Sequence, residues 1–315
     1  MSIKNLSKTY FKGFRRQRVH ALRGIDLEVR EGESFGFLGP NGAGKTTAIR
    51  ILMGLINKGG GTAKIFGHEI PSRAARERLG FLPEAPYFYD YLSVSELLDF
   101  TGRLFGQSRA QRVKRADELI ELVGLKHAGK SPLKSYSKGM MQRAGIAQAL
   151  VNDPDLVVFD EPMSGLDPIG RKDVRDIILS LKAAKKTVFF SSHILSDVES
   201  VADRIAILVQ GQIRDQGSLE EIVSARIGTE VIFGVADLSA EVREKVAGAA
   251  KRVRYHDGDM IALLEIDADI DAFVRSGHEI GARLKAVTPV NETLEDVFVR
   301  AASKGRSEEQ EEDST

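Results

Sequence analysis

An α/β fold with a mostly parallel, covered sheet is predicted by three features of the sequence. Short apolar runs alternate with helical patterns. SFGFLG (Ser34 to Gly39), DLVVFD (Asp155 to Asp160) and TVFFSSH (Thr187 to His193) read as buried strands, while AIRILMGLI (Ala48 to Ile56) and RKDVRDIILSLKAA (Arg171 to Ala184) carry apolar residues at helical spacing. Between the first of these strands and the first helix lies GPNGAGKTT, Gly39 to Thr47, a glycine loop that ends in Lys45, Thr46 and Thr47. After about residue 222 the composition shifts, and the order becomes strand, helix, strand, strand, helix, strand, the split βαβ arrangement.

The remaining elements follow in chain order. Residues 1 to about 35 read as two short strands separated by FKGFRRQRVH. Its basic residues Lys12, Arg15, Arg16 and Arg18 suit a solvated loop, or a contact with nucleotide, lipid headgroups or RNA. Residues 62 to 82 read as a strand, a helix rich in Arg and Glu, and another strand, and residues 93 to 150 as mostly helical. The C-terminal segment reads EVIFGV, SAEVREKVAGA, KRVRYH, MIALLEI, DIDAFVRSG and RLKAV, then a last helix, TLEDVFVRAA. The expected domains are therefore 1–222, with a helical subdomain at about 85–150, and a small α+β domain of ferredoxin-like order at 229–302. The acidic tail at 303–315 is expected to be disordered.

Composition narrows the function. The 315 residues are 42% hydrophobic and 29% charged, as in globular proteins, and the formal net charge is zero. A neutral chain gives no electrostatic case for nucleic acid as a partner. Cysteine is absent, which excludes disulfides and thiolate metal sites. No apolar run approaches the roughly 20 residues that span a bilayer, and the N-terminus lacks the apolar core of a secretory signal. The chain is expected in the cytoplasm, with any membrane role supplied by a partner.

The glycine loop carries the chemistry. Gly-x-x-x-x-Gly-Lys-Thr is the pattern of a phosphate-binding loop. Gly39, Gly42 and Gly44 permit backbone angles that turn successive N–H groups, through Pro40, Asn41 and Ala43, toward phosphate oxygens. The helix starting near Lys45 adds its dipole. Lys45 is expected at the β- and γ-phosphates, and the Thr46 hydroxyl at Mg²⁺. Asp160, at the end of the DLVVFD strand, is placed to hold Mg²⁺, and Glu161 to act as general base toward an attacking water.

Four further motifs, in order, complete a family pattern over residues 1 to about 222. These are FLPE (Phe81 to Glu84), SYSKGMMQR (Ser135 to Arg143), SGLD (Ser164 to Asp167) and SSH ending at His193. With the loop, they resemble the ATP-binding subunits of ABC transporters. The resemblance implies an ABC-type ATPase domain of the P-loop class, with ATP and Mg²⁺ as cofactors. It implies two copies sharing two ATP molecules: Ser137 and the Gly139 amide of one copy would meet the γ-phosphate held by the other. It further implies that His193 contacts the γ-phosphate and that Asp167 links the two sites. Tyr10 resembles the aromatic residue that stacks on adenine, with Phe11 and Phe14 as competing candidates. Glu84 stands where the family has glutamine, so its carboxylate is placed at the metal, and the signature reads YSKGM rather than LSGGQ.

These departures, with the ending NETLEDVFV (Asn291 to Val299), resemble the ATPases of type-two exporters. The resemblance implies a subunit that powers export through separate transmembrane permease subunits and sits on the cytoplasmic face of the membrane through them. APYFYDYLSV (Ala85 to Val94) would face that partner, so Tyr87, Phe88, Tyr89 and Tyr91 are either an interface or internal packing. Two alternatives are an importer ATPase and a soluble ABC ATPase acting on DNA or ribosomes. Only about fifty residues separate Glu84 from Ser137, which leaves no room for the long coiled coil of the DNA-acting members.

Overall fold

The computed structural model describes residues 1–12, 17–224, 226–235 and 250–312. The chain forms two compact units, one of Met1–Leu219 together with the chain from Phe298 on, the other of Glu220–Val297. The expected regrouping near residue 222 thus meets an observed division a few residues earlier, and the last helix changes unit part-way along its length.

Among its described residues the first unit holds ten strands: β1 (Ser2–Lys12), β2 (Gln17–Glu28), β3 (Ser34–Leu38), β4 (Gly60–Ile65), β5 (His68–Glu69), β6 (Leu79–Leu82), β7 (Leu156–Phe159), β8 (Thr187–Ser192), β9 (Arg204–Val209) and β10 (Gln212–Ser218). They make two sheets, ordered β2-β1-β4-β5 and β10-β9-β3-β8-β7-β6. In the larger sheet β9, β3, β8, β7 and β6 run parallel and β10 pairs antiparallel with β9. The strands at its centre are buried along their whole length, which is why they read as continuous apolar runs rather than alternating ones.

The first sheet is where expectation and structure differ most. β1 and β2 are long antiparallel partners, with Tyr10 opposite Val19 and Phe11 opposite Arg18. Phe11, Lys12, Arg18, Val19 and His20, expected in the connecting loop, lie inside the ladder. Backbone pairing across the hairpin satisfies their amides, whatever the charge of their side chains. Phe14, Arg15 and Arg16 fall outside the described residues.

One core joins the two sheets. Ile3, Leu6, Leu22, Ile25 and Leu27 of the first meet Phe35, Phe37, Val158, Phe189 and Leu208 of the second, and the helix Lys45–Leu52 adds Ala48, Ile49, Ile51 and Leu52. The Phe189 ring lies between Phe35 and Phe37, with centroids at 5.9 and 5.5 Å. The helix Pro168–Ala183 packs on β8 and buries Val174, Ile178 and Leu181. The helical subdomain contains helices Val94–Leu104, Arg109–Leu122 and Lys138–Ala149. Ser93 and Ser108 open the first two with capping boxes, closed by Glu96 and Gln111. The aromatic run before them divides between its two readings: Phe88 is buried, whereas Tyr87, Tyr89 and Tyr91 are 93%, 55% and 67% exposed.

The second unit has its own four-stranded sheet of β11 (Arg226–Gly234), β12 (Arg252–His256), β13 (Asp259–Leu264) and β14 (Arg283–Asn291), ordered β12-β13-β11-β14. Every neighbouring pair is antiparallel, so β11 and β12 are parallel with β13 inserted between them, which is the split βαβ order. The helix Ile270–Glu279 covers one face, closing a core of Val231, Phe233, Met260, Ala262, Leu264 and Phe273. Gly277 lets that helix approach: a Cβ there would stand 2.3 Å from the Phe233 ring. The helix expected within Ser239 to Ala249 lies outside the described residues.

The last helix runs Leu294–Glu312, into the acidic tail, whose residues 313–315 lie outside the described residues. Its Glu, Gln, Lys and Arg residues have high helix propensity, and that preference prolongs a helix already started by buried Leu294 and Val297.

Phe189→Ala is expected to cost about 3–5 kcal/mol, because two neighbouring rings border the cavity it leaves. Chemical denaturation followed by circular dichroism measures this, and a loss below about 1 kcal/mol would contradict the packing described.

Candidate functional site

The parallel register brings the motifs to one edge. Leu38 of β3 lies beside Ser192 of β8, Phe159 of β7 beside Phe190, and Leu82 of β6 beside Phe159. The residues that follow these strand ends are the glycine loop, His193, Asp160 with Glu161, and Glu84. Two backbone bonds lock the edge: Gly39 N donates to Ser192 O at 3.2 Å and Asp160 N to Leu82 O at 2.9 Å. Carboxyl ends of parallel strands are where α/β sheets hold ligands.

Two of the loop glycines are required by crowding. A Cβ on Gly39 would lie 2.3 Å from Leu208 O, and one on Gly44, whose φ is 112°, would lie 2.3 Å from Ala21 O. Gly44 is also the residue at which the helix Lys45–Leu52 begins, so its amide end opens directly onto the loop.

Lys45 is nearly buried. Its Nζ donates to Gly39 O at 2.7 Å and Pro40 O at 3.3 Å, and pairs with Glu161 Oε1 at 3.1 Å. The other Glu161 oxygen, Oε2, meets His193 Nδ1 at 2.8 Å. Glu161 therefore stands between the loop lysine and the histidine. Its φ of 52° places it in the left-handed region, rare for a residue with a side chain, and strain of this kind concentrates at functional sites.

Asp160 is 2% exposed. Its Oδ1 accepts from Ser191 Oγ at 2.7 Å and from Thr46 Oγ1 at 3.4 Å. Burial raises its carboxyl above the usual aspartate range; the two hydroxyl donors oppose the rise, and the charges of Glu84 and Glu161 add to it. A cation beside Asp160 would remove that cost. A hydroxyl and a carboxylate oxygen suit Mg²⁺, which keeps several waters and takes few protein ligands. Among the described residues no cluster of three or more acidic or histidine side chains forms a self-sufficient metal cage. The donor set therefore fits Mg²⁺ held jointly by Thr46, Asp160 and a bound phosphate.

A cavity of about 670 Å³ opens on this edge, lined by Asn41 to Thr47, Glu84 and Glu161. Gln17 to Ala21, Arg23 and Gln210 line it too, and of these only Arg18 stands out in the sequence. They come from β2 and the β9–β10 turn, which no motif marks; those on β2 are carried there by its pairing with β1 across the hairpin. Tyr10 does not line the cavity. It lies on β1, 38% exposed, with Lys8 Nζ 5.3 Å from its ring centroid.

Ser137, Gly139 and Asp167 also lie away from the cavity lining. Ser137 caps the helix Lys138–Ala149 by accepting from Met140 N at 3.3 Å. Asp167 caps the helix Pro168–Ala183 by accepting from Gly170 N at 2.8 Å. The Gly139 environment is open: the nearest atom to a Cβ there is Leu166 Cδ2 at 4.0 Å.

A family model described as ABC transporter matches residues 22–164. Over 298 residues the chain is 44% identical to an uncharacterized ABC transporter ATP-binding protein of Synechocystis sp., covering 94% of this chain and 82% of that protein. The chain belongs to the ABC transporter ATP-binding proteins. It is also 34% identical over 282 residues to the Nod factor export ATP-binding protein I of Cupriavidus metallidurans, across 89% of this chain and 91% of that one. Among solved structures it is similar to the ATP-binding cassette MJ0796 in a dimeric post-hydrolysis state with ADP and Pi, at 25% identity and TM-score 0.63, over 69% of this chain and 98% of that one. It is similar as well to cbiO1 of Clostridium perfringens, part of the cbiONQ complex, at 26% identity and TM-score 0.61, over 70% of this chain and 89% of that one.

This ABC ATP-binding protein binds and hydrolyses ATP as the ATPase subunit of a transporter. Among the described residues no helix is long and apolar enough to cross a membrane.

The raised carboxyl of Asp160 has a testable sign. A raised pKa means stability is complete while the group is protonated and falls as pH rises through that pKa. In nucleotide-free protein, Asp160→Asn is therefore expected to raise the melting temperature at pH 7, with the gain shrinking as pH falls toward the ordinary aspartate range. Calorimetry across that range decides it; no gain at pH 7 contradicts the burial argument.

Proposed function

We propose that this subunit powers export through separate transmembrane permease subunits, by closing as a pair of identical chains around two ATP molecules. The observation that carries the hydrolytic part is the Glu161 carboxylate, held by Lys45 on one oxygen and His193 on the other at the mouth of the phosphate loop. As triphosphate enters, Lys45 exchanges that carboxylate for β- and γ-phosphate oxygens. Glu161 stays paired with His193 and takes a proton from the water that attacks the γ-phosphorus. With Nδ1 toward Glu161, His193 contacts the γ-phosphate through Nε2 when that nitrogen carries a proton. Thr46 and Asp160 would hold Mg²⁺, which when bound would supply neutralising charge to the phosphates. Glu84, on the same cavity wall, lies close enough to Asp160 for its charge to act on that carboxyl. Adenine packs on the β1–β2 hairpin, where Tyr10 is the aromatic candidate.

The second copy supplies the remainder. Ser137 and Gly139 sit at the start of a helix whose first turn, among the described residues, is capped by the Ser137 side chain. There they face a partner's γ-phosphate. ATP then favours the closed pair because only that state contacts it on both sides. Asp167 sits beside this surface. The exposed Tyr87, Tyr89 and Tyr91 supply apolar area for a permease element, which would hold the subunit on the cytoplasmic face of the membrane. Export, rather than import, is supported by the similarity to Nod factor export proteins, by Glu84 and by the NETLEDVFV ending.

Glu161→Gln should lower kcat by about a hundredfold or more while ATP affinity holds; near-normal turnover removes Glu161 as base. Mixing Ser137→Arg protein with Lys45→Ala protein leaves at most one complete site per mixed pair, so ATPase activity should reappear in a mixture of two inactive stocks. A mixture as inactive as its components, with dimers detected, contradicts the shared site.

A further inference from the structure

A single buried hydroxyl lies between the two acidic residues of the site. Ser191 is fully buried on β8, one residue before its end. Its Oγ donates to Asp160 Oδ1 at 2.7 Å and accepts from the Glu161 amide at 2.8 Å. A serine hydroxyl has one proton, so the first bond uses its only donor and the second one of its acceptors. The Asp160 oxygen it contacts is the one that also accepts from Thr46, at 3.4 Å. The amide it holds belongs to the residue whose backbone stands in the left-handed region at φ 52°. The next hydroxyl, Ser192, is occupied locally, with Ile194 N at 3.0 Å and Ile194 O at 3.3 Å.

We propose that Ser191 is a positioning residue for ATP hydrolysis, its one hydroxyl fixing both the direction of the Asp160 carboxylate and the backbone from which Glu161 reaches Lys45 and His193. It touches neither ATP nor water and acts only through these two residues. Buried on the central strand β8, it ties the end of β7 to the strand that carries His193, so three site residues share one anchor. The inference rests on the proposed roles of Asp160 and Glu161.

The test compares Ser191→Ala, Ser191→Thr and a Ser192→Ala control in the full chain. Two readouts are used: kcat and KM for ATP, and equilibrium binding of a fluorescent ATP analogue with and without Mg²⁺. Ser191→Ala should lose on the order of 10- to 100-fold in kcat, as for one hydrogen bond to a charged group. Its metal-free affinity for the analogue should stay within about twofold, while the gain in affinity on adding Mg²⁺ should shrink. Ser191→Thr, which keeps the hydroxyl, should recover most of both, and Ser192→Ala should behave as wild type.

An unimpaired Ser191→Ala, or Thr and Ala equally impaired, overturns the proposal. If Ser191→Ala does not fold, Ser191→Thr against Ser191→Val makes the same comparison at constant volume; failure of all three to fold assigns Ser191 to packing and also overturns it. Normal turnover in Glu161→Gln would remove the reading of the site itself. An inactive Glu161→Gln beside an active Ser191→Ala would remove Ser191 alone.

Discussion

The alignment of three parallel strands is the constraint on which the rest of the site depends. Leu38 beside Ser192 and Phe159 beside Phe190 put the ends of β3, β8 and β7 at one level. A shift of one residue in either pair would turn alternate side chains to the opposite face and separate Lys45, Asp160 and His193. What holds the register is apolar: Phe35, Phe37 and Phe189 stack across β3 and β8 in a core without exposed area. Burial of aromatic rings on the strands that feed the phosphate loop therefore sets distances of about 3 Å within the site.

On that rigid edge sits a group of charges that apolar surroundings make costly. Asp160 is pushed toward its protonated form by burial and by its acidic neighbours. Glu161 is kept in a rare backbone conformation, between a lysine and a histidine. Such arrangements persist only where the surrounding structure over-determines them. Here the register, the amide of Gly39 and the hydroxyl of Ser191 do so. A bound triphosphate with its cation would relieve the same costs, so stability and ligand affinity draw on one set of interactions.

Much of this was legible in the sequence, because the information is local. GPNGAGKTT, VVFDEP and SSH each follow an apolar run, and the runs could be read as strands from residue type alone. What could not be read was pairing and assembly. Pairing of β1 with β2 drew Phe11, Lys12 and Arg18 to His20 out of a supposed loop, and placed Arg18 and Val19 on the cavity wall where Tyr10 had been expected. The β9–β10 turn with Gln210 carries no motif and is found only once the sheet is assembled. Ser191 carries no signal of its own within SSH because its two partners lie about thirty residues upstream in sequence.

The central claim is that the phosphate site of one chain is completed by the signature helix of another. Analytical ultracentrifugation of Glu161→Gln protein, with and without ATP and Mg²⁺, tests it most directly. The account predicts the 34.5 kDa chain without nucleotide and a species of twice that mass with it. A single chain under both conditions, in protein shown to have ATP bound, would contradict it.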